Sequence, residues 1–213
     1  AVFQERWIRY KPMLRLKYYE SIVVYVDPSW KSGGKNDYKA CKMWGRPKRG
    51  MKTASHRELH CIRAFCRQCG VGEMVRWLYD LYESLPEDCA AIFYMEANFM
   101  QDTILDEFQR EGDIRGYQLP IMPDTRKKPD KFARIEAISP LWERGLVWYN
   151  IRLKDDADMR TSIDQTLSFE QGSRAHDDSP DADEGAIYKL QKQVRQDTMP
   201  PRIGMRQAPK EGW

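Results

Sequence analysis

The sequence predicts an α/β protein in which helices flank a mixed β-sheet. Three strands are predicted first, at Ile22–Val26, Tyr38–Trp44 and Arg57–Phe65, and the short links between them favour an antiparallel meander. Helices and short strands then alternate, which is typical of further strands added to the same sheet. Apolar residues make up 41% of the 213 residues, enough for a substantial core in a domain of this size.

The first predicted strand is the best-defined element of the chain. Residues Ile22–Val26 form an apolar, β-branched run that suits a strand buried on both faces, and Pro28 ends it. Asp27 stands at its exit, where a buried carboxylate costs free energy unless its charge is used. A loop cap and a functional ligand are both compatible with this position.

The later elements follow from hydrophobic spacing and breaker residues. Apolar side chains recur at helical spacing from Met74 to Leu85, and Pro86 ends that stretch. A strand is predicted at Cys89–Met95, with Glu96 at its exit. The remaining predicted elements are a helix ending at Gly112, strands around Ile114–Met122 and Leu146–Tyr149, and helices around Asp130–Ile138, Thr161–Gln171 and Asp181–Gln193.

Three segments are expected: a lead-in over residues 1–19, a domain over 20–195, and a basic, flexible tail over 196–213. Because the chain begins at Ala1, we expect it to be part of a longer protein. No apolar run approaches the ~20 residues of a membrane span, so no membrane association is expected.

The five cysteines are odd in number, and with no secretory leader they favour a reducing compartment and free thiols. Cys66 and Cys69, with Cys61 and His60 upstream, raise the alternative of a zinc site. We favour buried thiols, because a structural zinc site needs four converging ligands.

Charge is distributed unevenly along the chain. Residues 155–184 are strongly acidic and residues 186–213 are basic, a pattern that suits metal ions facing a polyanion. Two basic clusters could contact the phosphates of a polyanion or could be solvated faces. The first comprises Arg46, Lys48, Arg49 and Lys52, and the second comprises Arg126, Lys127, Lys128, Lys131 and Arg134.

Acidic residues occur at three stations that could converge. Asp27 and Glu96 end strands that would lie side by side, and the segment His176–Ala182 opens a helix with Pro180 in its first turn. Asp178 and Asp181 are three residues apart and would point the same way in that turn, although helix capping is an alternative role. Carboxylates in this number suit Mg²⁺ or Mn²⁺, and two such ions can hydrolyse a phosphodiester.

The succession Val-Asp-Pro-Ser…Asn-Asp-Tyr, Tyr-Met-Glu-Ala-Asn and His-Asp-Asp-Ser-Pro-Asp-Ala resembles the nuclease domain of the large terminase of tailed bacteriophages over roughly residues 20–190. The resemblance implies a ribonuclease H-like fold and a metal-dependent endonuclease that cuts concatemeric viral DNA with two Mg²⁺ or Mn²⁺ ions. It also implies Asp27, Glu96 and Asp178 as catalytic residues and metal ligands, with Asp181 as a further ligand. Asp177 could replace either helix acid.

The same resemblance implies double-stranded DNA, a terminase ATPase domain, the small terminase subunit and the portal as partners, in the host cell cytoplasm during virion assembly. Ser32–Asn36 lacks the residues of a phosphate-binding loop, so the motor is absent from this chain. A junction-resolving or transposase-like nuclease of the same fold and a non-catalytic docking domain of a packaging motor are the alternatives.

Lys127, Lys128, Lys131, Arg134 and Arg49 are the predicted DNA-binding residues. Trp30, in the loop after Asp27, could border the cleft or be buried. Asp183 and Glu184 stand where small or apolar helix residues would be expected, which predicts an exposed helix face there.

Overall fold

Seven strands form one mixed sheet in the computed structural model, which describes residues 1–29, 38–100 and 102–196. The strands are β1 (Tyr10–Lys11), β2 (Tyr19–Asp27), β3 (Tyr38–Pro47), β4 (Leu59–Gln68), β5 (Ala91–Glu96), β6 (Ile121–Asp124) and β7 (Val147–Asn150), in the spatial order β1-β7-β4-β3-β2-β5-β6. Strand β3 pairs antiparallel with β2 and β4, and the other neighbours are parallel. The predicted mixed sheet, with its antiparallel meander, is therefore confirmed.

Helices cover both faces of the sheet. They are α1 (Val71–Ser84), α2 (Asp102–Arg115), α3 (Lys131–Glu143), α4 (Ala157–Leu167) and α5 (Asp178–Gln196). Val23 and Tyr25 point from β2 into the core shared with α3, α4 and α5, whereas Val24 and Val26 point into the core shared with α1 and α2. The apolar run of β2 is thus buried on both faces, as its composition predicts. Among the described helices, none combines the length and apolar character needed to cross a bilayer.

Two predictions for the region after β5 are wrong. Gly112 does not end its helix, because α2 continues through Arg115 and Gly116 follows in the left-handed conformation at φ 83°. The carbonyl of Gly112 instead accepts the N–H groups of Gly116 and Tyr117, which closes the helix one turn later. The strand predicted around Ile114–Met122 consequently begins only at Ile121.

The expected exposed face at Asp183 and Glu184 is also wrong. Asp183 is fully buried and Glu184 is 4% exposed. Lys42 and Trp44 of β3 bind Asp183, with Lys42 Nζ 3.2 Å and Trp44 Nε1 2.8 Å from its Oδ1. A buried carboxylate requires such partners, and the spacing along α5 alone does not reveal cations from elsewhere in the chain.

The lead-in segment lies against the same core. Phe3 is 2% exposed and packs edge-on against Trp142, with ring centroids 5.0 Å apart. Tyr10 pairs with Tyr149 in the β1–β7 ladder. The five cysteines are free thiols, four of them buried. The loop from Trp30 to Asp37 and the tail beyond residue 196 lie outside the described residues, including the predictions for Trp30 and Ser32–Asn36.

Candidate active site

Asp27 and Glu96 end neighbouring parallel strands at the same edge of the sheet. Val26 of β2 stands opposite Met95 of β5, so the next residue of each strand carries the carboxylate. Val26 and Met95 point into the core of α1 and α2, and side chains alternate along a strand, so Asp27 and Glu96 face the side covered by α5. The prediction that these strands lie side by side is confirmed.

The start of α5 brings further carboxylates to this edge. Asp178 is the first residue of the helix, Asp181 lies one turn later, and Pro180 occupies the first turn as expected. The helix can approach β2 closely because Gly185 faces Tyr25. A Cβ atom at Gly185 would lie only 2.5 Å from Cζ of Tyr25. This close contact, about two turns into α5, holds the helix against β2 near the end of the strand.

Ser29 connects the two groups of acids. Its backbone N–H donates to Oδ1 of Asp27 at 3.0 Å, and its side chain hydrogen-bonds to Asp178. Ser29 also has a positive φ of 33°, which is unusual for a residue other than glycine and stores backbone strain. The residues around Ser29 carry no local signal for this role, because a serine after Asp-Pro is also an ordinary turn residue.

Three of the acids, Asp27, Asp178 and Asp181, differ in how their charge is balanced. Burial raises the pKa of Asp27 well above its usual range, and the charges of Asp181 and Asp178 raise it further. Burial likewise raises the pKa of Asp178. Burial opposes ionisation of Asp181 as well, but Lys131 and Arg134 outweigh it and lower the pKa of that carboxyl. Negative charge is therefore least compensated at Asp27 and Asp178.

Three cations from the second basic cluster lie among these acids. Lys131, the first residue of α3, places Nζ 2.7 Å from Oδ1 of Asp177 and 3.3 Å from Oδ2 of Asp181. Arg134, one turn later, donates from Nη1 to Oδ1 of Asp181 at 3.1 Å. Lys128 donates to Oε2 of Glu96 at 2.7 Å. The structure thus places the predicted ligands and three of the predicted DNA-binding residues at the same end of the sheet.

The other two predicted DNA-binding residues lie elsewhere. Lys127 is exposed next to Lys128, at the rim of a groove of about 650 Å³ between α3 and α5. Arg49 is exposed in the turn between β3 and β4. Since Pro47 pairs with Tyr19 and Ala40 pairs with Asp27, this turn lies at the opposite end of β2 from the acids.

Sequence reasoning missed one acid at this edge. Asp124 ends β6 beside Glu96 and is 2% exposed. Tyr25 donates to its Oδ2 at 2.7 Å, and Lys189 lies 3.0 Å from its Oδ1. Its position at the exit of a predicted strand was the available signal. Because it is already paired with Lys189 and Tyr25, Asp124 is a structural anchor for α5 rather than a free ligand.

The donor chemistry suits a hard divalent cation. Asp27, Glu96, Asp178 and Asp181 offer oxygen donors, which Mg²⁺ and Mn²⁺ prefer, and repulsion among Asp27, Asp178 and Asp181 would be relieved by a cation between them. Within the described residues, no three His, Cys, Asp or Glu side chains already converge as a metal cage. Both oxygens of Asp181 instead contact cationic side chains.

Comparison of three-dimensional structures relates this architecture to viral terminases. The nuclease domain of the human cytomegalovirus terminase, in a Mn-soaked and inhibitor-bound structure, matches with a TM-score of 0.60 over 88% of this chain and 94% of that one. The nuclease domain of the P22 large terminase matches with a TM-score of 0.58 over 90% of this chain and 92% of that one. The chain has the terminase nuclease fold. The predicted ribonuclease H-like architecture is therefore confirmed.

The likeness lies in structure rather than in sequence. Identity to the cytomegalovirus domain is 13% and to the P22 domain 11%. The HK97 bacteriophage large terminase matches with a TM-score of 0.53 at 10% identity, over 84% of this chain but only 40% of that one. No protein-family model matches the sequence. No curated protein is similar to it by sequence.

Proposed function

We propose that this chain is a divalent-metal-dependent endodeoxyribonuclease that cuts concatemeric viral DNA during genome packaging. The observation that carries the proposal is the placement of Asp27 and Glu96, on adjacent parallel strands, at the end of the sheet where α5 begins with Asp178 and Asp181. The terminase nuclease fold supports the same function. Carboxylates that repel one another at the end of a buried strand persist only where their charge is used.

The balance of charges distinguishes the three helix acids. Asp177 and Asp181 are both paired with Lys131, whereas Asp178 lies beside Asp27 through Ser29. We therefore assign Asp27 and Asp178 as the primary metal ligands, with Glu96 and Asp181 completing the set and Asp177 outside it. When bound, two Mg²⁺ or Mn²⁺ ions would activate water and stabilise the leaving oxygen in phosphodiester hydrolysis.

Basic side chains beside the acids would position the DNA. Lys127 is exposed and free to contact a phosphate, and Lys128 and Lys131 lie beside the acids. Arg134 is held by Asp181 and Glu184, so it would contribute positive charge near the DNA rather than a direct contact. Contact through Arg49 requires DNA that extends along the whole length of β2. Because phosphates carry no sequence information, cleavage with little sequence specificity is expected.

The partners in this proposal are double-stranded DNA, a terminase ATPase domain, the small terminase subunit and the portal, within the host cell cytoplasm during virion assembly. The match to only 40% of the HK97 large terminase supports a division of labour between this unit and further domains. The nuclease would then act where the motor delivers DNA.

A plasmid-cleavage assay tests the proposal directly. The parent protein should convert supercoiled plasmid in Mg²⁺ or Mn²⁺ and not in EDTA, and Asp27→Asn and Asp178→Asn should each reduce the rate at least about 100-fold. Glu136→Gln is the matched control, because it removes an exposed carboxylate of α3. Cleavage in EDTA, or full activity of Asp27→Asn, would refute the mechanism.

A second substrate separates the proposal from its nuclease alternative. A junction-resolving or transposase-like enzyme should prefer four-way or branched DNA, whereas a packaging nuclease should cut linear duplex at a comparable rate. A docking domain should cut neither, and Asp27→Asn should leave its binding to the motor unchanged.

A further inference from the structure

Lys131 reaches from the start of α3 to the acids at the start of α5. Its ammonium lies 2.7 Å from Asp177 and 3.3 Å from Asp181, and its charge also acts on Asp27. A lysine at the first turn of α3 could easily have pointed to solvent. It is instead paired with Asp177, just before α5, and with Asp181 in the first turn of that helix.

The two cations that pair with Asp181 differ in how firmly their side chains are held. Arg134 has a side chain only 7% exposed and binds Glu184 as well as Asp181, so it is fixed by two partners. The side chain of Lys131 is 39% exposed and flexible, and it can turn to solvent or to a phosphate without breaking the core. Lys131 is therefore the removable counter-charge of Asp181.

Asp27 and Asp178 are balanced differently. Among the described residues, the nearest cationic group to Asp178 is Nδ1 of His176 at 3.9 Å, and that ring is charged only when protonated. Within the described part of the chain, Asp27 accepts the backbone N–H of Ser29 and no charged donor. Among those residues, a divalent ion between Asp27 and Asp178 would therefore displace no lysine.

A second ion would meet a different situation at Asp181. An ion bound to Oδ2 would share that oxygen with the ammonium of Lys131, which lies 3.3 Å from it. Two cations on one carboxylate oxygen would repel each other strongly in a partly buried site. The ion and the lysine therefore compete for Asp181.

From these contacts we propose that Lys131 regulates the second metal position: the free protein binds one divalent ion at Asp27 and Asp178, and the second binds only when Lys131 leaves Asp181. This inference rests on the proposed metal-dependent function. DNA would favour the exchange, because a backbone phosphate offers the ammonium another anionic partner. Metal loading and DNA binding would then be coupled through one side chain.

A calorimetric titration with Mn²⁺, without DNA and at neutral pH, tests the proposal by measuring the affinity for each ion. The parent protein should bind one ion tightly and a second weakly. Lys131→Met should tighten the second ion about tenfold, since it removes two partly exposed ion pairs. Lys131→Arg should behave like the parent, because it keeps the charge. Lys52→Met is the control, because it removes an exposed lysine remote from the acids.

The outcomes distinguish this inference from the function on which it rests. If the parent binds two ions as tightly as Lys131→Met does, Lys131 does not compete and the inference is wrong. If neither the parent nor any variant binds Mn²⁺, the metal-dependent function itself fails. Adding a short DNA duplex to the parent should increase its affinity for the second ion. An unchanged affinity for the second ion would also overturn the proposal. This measurement uses only the parent protein, so it does not depend on whether the substituted proteins fold.

Discussion

The buried pair of Lys42 and Asp183 allows a quantitative test of how α5 is held on the sheet. The side chains are 0% and 1% exposed, with Nζ and Oδ1 3.2 Å apart. Lys42 also contacts Ser162 and Ser179. Although burial opposes its charge, Asp183 raises the pKa of Lys42, so the ammonium is charged at neutral pH.

Removing one partner should leave an uncompensated charge in the core. Lys42→Met and Asp183→Asn should each lower the free energy of unfolding by about 3–5 kcal/mol. The amide introduced by Asp183→Asn keeps an acceptor for Trp44, so the loss reports the charge rather than that hydrogen bond. For a chain of this size, the melting temperature should fall by roughly 6–20 °C.

The double variant decides whether the two effects belong to one interaction. Lys42→Met combined with Asp183→Asn removes both charges, so it should cost clearly less than the sum of the single variants. Urea unfolding of the four proteins gives the coupling energy, and Lys48→Met, an exposed lysine, should stay within about 0.5 kcal/mol of the parent. Additive losses, or single variants as stable as the parent, would refute this account.

Three further predictions address stability. In EDTA at neutral pH, Asp27→Asn should be about 0.5–2 kcal/mol more stable than the parent in urea unfolding. The reason is that a carboxyl whose folded pKa is raised stabilises the protein only below its unfolded pKa, and that stabilisation is lost as pH rises. A less stable variant would contradict the charge balance. Gly185→Ala should lower the free energy of unfolding by about 1–3 kcal/mol in a thermal melt, because its Cβ would overlap the ring of Tyr25; an unchanged melting curve would show that α5 can shift freely. Burial lowers the pKa of His60, so the stability it contributes is present above its unfolded pKa of about 6.5 and is lost as pH falls from there through the folded pKa. Thermal melts at pH 7.5 and 5.5 should therefore differ less for His60→Gln than for the parent, and equal differences would exclude His60 as the cause.

Much of the fold could be predicted because local and tertiary preferences agree. The β-branched run before Asp27 forms the central strand, and the acid-rich segment with Pro180 begins a helix. Both signals are short-range, and the predicted mixed sheet placed the strands that end at Asp27 and Glu96 side by side, which the pairing of β2 with β5 confirms. These features were sufficient to predict that Asp27 and Glu96 meet at one edge.

What escaped prediction depends on partners distant in sequence. The burial of Asp183 depends on Lys42, which lies in the middle of β3. A lysine is ordinarily expected to be exposed to solvent, so the sequence does not predict this pair. The pairing of Asp181 depends on how α3 faces α5, which no periodicity in either helix encodes. For the same reason the sequence alone could not choose among Asp177, Asp178 and Asp181, since all three fall within about one helical turn and the sequence does not show that Lys131 pairs with Asp177 and Asp181.

Both margins of the sheet are short. Strand β1 has two residues and β6 has four, and β6 includes Pro123, which cannot donate a backbone hydrogen bond, and ends in a charged, paired Asp124. Such edge strands offer few unpaired backbone groups to a strand of a neighbouring chain, which disfavours edge-to-edge aggregation between copies of the protein.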